Sequence, residues 1–275
     1  MEKIRVGEFD IVYWQAGFGP GILFAHCSSG NHKEWIKIAN NLSPNYHVIA
    51  PDLIGYGQST PWPSHPPKHP ASDLDVIEEL IKHYDGPVHL VAHSYGAAAC
   101  LEAARRDSET GANKVKSLFV IEPVTFHLLK TESCAKEWNQ ITRLANRVIG
   151  GVKKGNYATA ANSFMGFWLG PIKWRLAPKR FRQSVIQTIH KVAHEFSIID
   201  NYHFTADAYS NISCPVTIIS GARTKKPALA ITEILTRHIT NSQHHIIPGA
   251  GHMSPFTHSK EVKQLLDEHL ARNAI

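Results

Sequence analysis

The sequence predicts an α/β fold with a mostly parallel central sheet covered by helices on both faces. Two observations carry this: short apolar runs alternate with helix-period segments at both ends of the chain, and several of those runs are apolar at nearly every position. A strand that is apolar throughout must bury both faces, and a layer of helices on each side is the stable way to do so. A third observation is a change of rhythm. From about 125 to 210 the strand signals vanish and the chain becomes helical and aromatic, with Trp138, Phe164, Phe167, Trp168, Trp174, Phe181 and Phe196. Helices inserted after the carboxyl end of a strand would lie over the crevice where such sheets bind ligands. The expected division is a core of residues 1–123 and 211–275 and a helical cap, or lid, of residues 124–210.

Strands are expected at "IRVGEF", "FDIVYWQA", "GILFAH", "YHVIAPD", "PVHLVAH", "SLFVIE", "PVTIISG" and "HHIIPG". Helical patterns fall near 33–41, 72–84, 95–106, 228–239 and 258–271. "GFGPG" at 17–21 joins two strands and opens no helix, so it reads as a hairpin turn rather than a dinucleotide loop. "PDLIGYGQS" reads as a structural loop in which Asp52 is buried by its own turn hydrogen bonds, and the proline-rich "PWPSHPPKHP" at 61–70 as a stiff surface connection.

Length and composition narrow the class. A chain of 275 residues holds one large α/β domain with an insertion. Its hydrophobic fraction of 43% and charged fraction of 19% exclude the disordered and fibrous classes. No stretch has the apolar length of a membrane span, and "MEKIRVGEFDIVYWQ" lacks the apolar core of a signal peptide, so a cytoplasmic location is expected. Cys27, Cys100, Cys134 and Cys214 have no paired spacing, which argues against a disulfide framework and against a zinc site. The net charge is +6, and the densest basic run, "KWRLAPKRFR" at 173–182, interleaves Trp174 and Phe181. No nucleic-acid-binding module surrounds it, so it reads as a solvated helix face and no nucleic-acid partner is expected. His190 and His194 in "HKVAH" stand one turn apart, but Lys191 occupies the place of a metalloprotease glutamate, so no metal is expected.

The chemistry begins at "VAHSYGAAAC", residues 91–100. An apolar strand breaks at Ser94 and runs straight into an alanine-rich helix. A turn that sharp forces its central residue towards positive φ and admits only small neighbours, which is the mechanical content of the nucleophile-elbow pattern G-x-S-x-G. Here it reads Ala92-His93-Ser94-Tyr95-Gly96, with alanine for the first glycine. The plainer use of such a serine is a helix N-cap. A nucleophile also needs a base, an orienting acid and oxyanion donors, and behind this motif the chain order is serine, acid, histidine. His252, in "IIPGAGHMSPFTHS", follows a strand and a glycine-rich turn before the last helix, where the base is expected. "LFAHCSSGNHKEW" follows the third strand, and there Ser28 is the expected oxyanion donor, beside Cys27, with the Tyr95 amide as the second.

The chain resembles the α/β-hydrolase superfamily, in particular its esterase-like members with a helical cap. The matching pieces are "GFGPGILFAH", "HCSSG" followed by Trp35, "PDLIGYGQS", "VAHSYGA", "CPVTIISG" and "PGAGHMSP", which together span nearly the whole chain outside the cap. His26-Cys27 stands where the family usually has His-Gly. Most relatives place an aspartate after the strand "PVTIISG" in the pattern G-x-x-D, but this chain reads Gly221-Ala222-Arg223-Thr224. Glu122, at the end of "SLFVIE", preserves the chain order, and certain dehalogenases carry their acid after that strand. Its plainer role is a strand-end carboxylate at the start of the cap, and Asp200 and Asp207 are rivals for the acid. The resemblance therefore implies a cofactor-free serine hydrolase with Ser94, His252 and Glu122 as its catalytic residues. A pocket that includes His26, Cys27, Phe167 and Trp168 would take a small-molecule acyl substrate with apolar bulk, most simply a carboxylic ester. A lactone or C–C bond hydrolase, or a ligand-binding protein whose triad has decayed, are the alternatives.

Overall fold

A computed structural model of the protein describes residues 1–63, 72–130, 134–200 and 204–275. Eight strands form one sheet: β1 (Glu2–Val6), β2 (Phe9–Ala16), β3 (Gly21–Ala25), β4 (His47–Pro51), β5 (Val88–His93), β6 (Val115–Ile121), β7 (Val216–Gly221) and β8 (Ser242–Ile247). Their spatial order is β1-β2-β4-β3-β5-β6-β7-β8. The first two pairings, β1 with β2 and β2 with β4, are antiparallel, and all the others are parallel. The "GFGPG" turn is therefore not a hairpin: it links β2 to β3, but β4 lies between them and pairs with both.

The continuous apolar strands are two-faced. In β5 and β6, Leu90, Ala92, Leu118 and Val120 belong to one core layer, while Val91, Phe119 and Ile121 belong to the other. The first layer is covered by α2 (Asp73–Lys82), α3 (Tyr95–Thr110) and α8 (Lys226–His238), through residues such as Ile77, Leu101 and Ile231. The second is covered by α1 (Ile36–Leu42) and α10 (Ser259–Arg272), through Ile38, Val262 and Leu266. A capping box starts α2, where Ser72 and Asp75 exchange side-chain-to-backbone hydrogen bonds.

Between β6 and β7 lie α4 (Ala135–Lys153), α5 (Tyr157–Trp168), α6 (Pro171–Leu176) and α7 (Lys179–Asp200). They pack on one another through Leu144, Val148, Ala160, Phe164, Val185 and Ile189, all buried. In the basic run Trp174 is buried and donates to Asn162 Oδ1 at 2.7 Å, while Phe181 packs edge-on against it and stays exposed. A short helix, α9 (Ser254–Thr257), precedes α10. Asp52 is fully buried and receives one hydrogen bond from within its own turn, the Gln58 amide at 2.7 Å, and another from a different loop, the His32 amide at 2.8 Å. Most of the proline-rich segment, residues 64–70, and the side chain of Asp200 lie outside the described residues. Among the described residues no helix is long and apolar enough to cross a membrane.

Candidate active site

Ser94 and Glu122 follow the carboxyl ends of the neighbouring parallel strands β5 and β6, and His252 lies in the turn after β8, beyond the intervening β7. Ser94 has φ 55°, ψ −115°, and its side chain makes no N-cap hydrogen bond to α3, although it occupies the N-cap position. Its hydroxyl instead lies 3.0 Å from His252 Nε2. The elbow is tight because strand and helix backbones nearly touch. A Cβ added at Gly96 would stand 2.5 Å from the carbonyl oxygen of His26, so only glycine fits there. Ala92 is fully buried, and its methyl group is accommodated where the usual pattern has glycine.

His252 Nδ1 lies 2.7 Å from Glu122 Oε2, which accepts a hydrogen bond from Nδ1–H, and the Glu122 side chain is fully buried. Glu122 also accepts from the Gly221 amide at 2.9 Å through Oε1 and from the Thr224 hydroxyl through Oε2. Its own φ is 43°, unusual for a residue with a side chain. Burial works to raise the Glu122 carboxyl, but the His252 hydrogen bond and charge, followed by Thr224 and Gly221, outweigh it and hold its pKa below the usual range. Burial lowers the His252 imidazole, and Glu122 restores only part of that shift. The rival Asp207 is exposed and stands 3.1 Å from His238. A hydroxyl, imidazole and carboxylate joined in this sequence can pass a proton from the hydroxyl to the ring and hold the resulting imidazolium.

A second pair stands behind the histidine. His93 Nδ1 donates to Glu34 Oε1 at 2.6 Å and His93 Nε2 to the His252 carbonyl at 2.8 Å. Two acceptors on one ring call for two N–H groups, hence an imidazolium. Burial opposes that charge, but Glu34 outweighs it and raises the His93 pKa. Glu34 Oε2 also accepts from the Cys27 amide at 3.0 Å. Donor atoms of Cys27, Glu34 and His93 lie within 4.8 Å of one another, but the carboxylate is already committed to the ring and the amide. Neither residue was evident as part of a site. His93 is adjacent to Ser94, whereas nothing local to "NHKEW" marks Glu34.

A pocket of about 400 Å³ opens beside Ser94 and His252, lined by Cys27, Ser28, Phe164, Met165, Val185 and Phe256 among others. Its wall is almost wholly apolar. Trp168 also lines it and stacks on the His252 ring at 3.9 Å between centroids. A smaller space of about 20 Å³ also borders Ser94 and meets Tyr95, Phe126, Glu195 and Phe196. Two expected pocket residues fall elsewhere. The His26 ring is fully buried, donating to the Cys27 carbonyl at 2.7 Å and accepting from the Leu53 amide at 2.9 Å, so it braces two loops. Phe167 follows Phe164 and Met165 on α5 but points to a different face of the helix, towards an outer groove with Arg143 and Lys226, and Lys225 sits over its ring at 5.5 Å. The Ser28 hydroxyl donates to Glu195 at 2.5 Å. His194 stacks on Trp62 at 4.3 Å, while Lys191 between the two histidines is buried in an ion pair with Asp73 at 2.6 Å.

A sheet of this order, with a serine elbow at the end of β5 and a histidine after β8, defines an α/β hydrolase. The chain belongs to the alpha/beta hydrolase family, whose model matches residues 22–265. A putative non-heme chloroperoxidase from Synechocystis sp. is 27% identical over 97% of this chain and 98% of that protein. Lipase LipV of Mycobacterium tuberculosis is 33% identical, but the match spans only 38% of each chain. A thermophilic esterase from Thermogutta terrifontis superposes with a TM-score of 0.78 over the whole of both chains at 20% identity, a likeness of fold.

Proposed function

We propose that this hydrolase is a serine enzyme that cleaves carboxylic esters through an acyl-enzyme, with residues 124–210 as the cap over its site. The observation that carries this reading is the hydrogen-bonded line from Ser94 through His252 to Glu122, opening onto an apolar pocket of about 400 Å³. Ser94 Oγ attacks the ester carbonyl as His252 Nε2 takes its proton, and Glu122 holds Nδ1–H and stabilises the imidazolium. The carbonyl oxygen, now negative, is received by the amides of Ser28 and Tyr95. Tyr95 opens α3, where amides have no acceptor within their own helix. The Cys27 amide is engaged by Glu34, which leaves Ser28 as the donor from that loop. His252 returns the proton to the departing alcohol; water then attacks the acyl carbon with His252 again as base, the acyl–Oγ bond breaks to release the carboxylic acid, and His252 gives its proton back to Ser94. The large apolar pocket favours apolar bulk on one side of the ester, and the smaller space beside Ser94 admits little of the other.

The test is labelling by a fluorophosphonate together with turnover of a panel of p-nitrophenyl esters. Wild type should label and hydrolyse, and Ser94→Ala should do neither while keeping the wild-type melting temperature. An alanine variant with full turnover would remove Ser94 from the mechanism.

A further inference from the structure

Helix α7 carries three polar side chains, half-buried Thr188 and buried Lys191 and Glu195, spaced three and four apart and hence on one face. Two of them reach the loop that carries the proposed donor Ser28, and the third reaches Asp73, which bonds the Tyr95 hydroxyl. Glu195 accepts from the Ser28 hydroxyl through Oε2 and from the Tyr56 hydroxyl through Oε1, each at 2.5 Å. Two turns earlier, the hydroxyls of Thr188 and Ser29 are hydrogen-bonded at 3.0 Å. Ser29 sits at φ 59°, a conformation a side-chain-bearing residue keeps only when its surroundings impose it. Between them Lys191 donates to Asp73 Oδ2 at 2.6 Å and stands 3.4 Å from Glu195 Oε1. The same Asp73 oxygen accepts from the Tyr95 hydroxyl at 2.9 Å, and Asp73 Oδ1 accepts from the Ile54 amide at 2.8 Å.

This stripe is poorly explained as an adhesive. The side chains of Lys191 and Asp73 are 1% exposed and that of Glu195 is 3% exposed, so three charged groups have been taken out of water. A buried ion pair holds surfaces together no better than apolar side chains of the same volume, but it fixes direction and distance far more narrowly.

We propose that Thr188, Lys191 and Glu195 are positioning residues for the oxyanion hole: Glu195 and Thr188 fix the Ser28 loop, and Lys191 fixes Tyr95 through Asp73. The cap, as well as the sheet, thereby sets the geometry at Ser94. The inference rests on the reading of that site as a serine esterase.

The experiment compares Glu195→Ala, Glu195→Gln, Ser28→Ala and the double Ser28→Ala/Glu195→Ala with wild type. It measures kcat and KM on a soluble p-nitrophenyl ester, melting temperature, and binding of an aryl trifluoromethyl ketone, whose serine adduct carries the oxyanion. Glu195→Ala should lower kcat about 10- to 100-fold with KM changed less than about threefold, and weaken the ketone by the same factor as kcat. Glu195→Gln, which still accepts from Ser28, should recover most of that loss. Ser28→Ala keeps its amide and leaves no buried charge unpaired, yet should lose kcat in the same sense. The double variant should be no worse than the weaker single one, because both remove one tether. Wild-type kcat and ketone affinity in Ser28→Ala would overturn the inference, whatever Glu195→Ala does to the melting temperature. A wild-type protein that neither labels with fluorophosphonate nor turns over esters would instead overturn the esterase reading beneath it.

Discussion

Thr224 donates its hydroxyl to Glu122 Oε2, the same oxygen that receives His252 Nδ1–H. The position where relatives carry an aspartate is thus in direct contact with the carboxylate proposed to replace it. β6 lies between β5 and β7, and a glutamate at its end reaches both His252 and the loop after β7.

Glu122→Gln should therefore keep the shape of the site and lower kcat by about 10⁴, the order seen when a triad acid becomes an amide. Thr224→Ala removes one of the hydrogen bonds on that carboxylate and should cost about tenfold or less. The informative variant is Glu122→Gln/Thr224→Asp, which returns an acid to the other side of the same contact. It should recover part of the lost kcat, and a double variant no faster than Glu122→Gln would show that the loop after β7 cannot present a carboxylate to His252.

The pH dependence has a defined sign. The reactive imidazole is the neutral one, and burial lowers the His252 pKa beneath the ordinary value of about 6.5. Ester kcat/KM should thus be level near neutrality and fall on acidification, with a midpoint below about 6.5. Glu122, held below the usual carboxylate range, stays ionised through that fall. Because Glu122 favours the imidazolium, Glu122→Gln should move the midpoint lower still, measured as a shifted acid limb of the residual activity.

Acyl-chain preference should respond to the pocket wall and not to every aromatic of the cap. Val185 is fully buried and lines the pocket, so Val185→Phe should shorten the longest ester hydrolysed efficiently. Phe167→Ala, on the outer groove, should leave relative rates across an ester panel unchanged.

Gly96→Ala tests the elbow. Its methyl group would press on the His26 carbonyl, and the strand or helix must shift, at a cost of about 1–3 kcal/mol. A lowered melting temperature together with slowed fluorophosphonate labelling is the expected result. Unchanged labelling would mean the turn has more room than its backbone contacts indicate.

The sheet was legible because its strands are apolar on both faces, and Ser94 and His252 stood out because each follows a strand in a recognisable local context, whereas Glu122 came forward only through the resemblance and the missing aspartate, with Asp200 and Asp207 as rivals. What lay hidden depended on contacts between distant segments. Pairing order is one case: β4 inserts between β2 and β3, which the short "GFGPG" linker does not disclose. The direction of a side chain around a helix is another, and it separates Phe167 from Trp168 although they are adjacent. Lys191 and Glu195 look like surface charges in an ordinary amphipathic stretch. Only Asp73, 118 residues away in the chain, reveals that Lys191 is buried.

His252 is held at two separate points, by its ring nitrogen on Glu122 and by its main-chain carbonyl on His93. The carbonyl hold makes no use of the imidazole's proton, and Glu34 secures it from the other side of His93. The loop that delivers the ring is therefore docked independently of the group that tunes it. Loss of the carboxylate at 122 should lower the ring's affinity for a proton while the carbonyl hold remains, whereas loss of His93 should release that hold and also remove a positive charge that lowers the His252 pKa. The placement of this one side chain thus draws on a group outside the line that moves its proton.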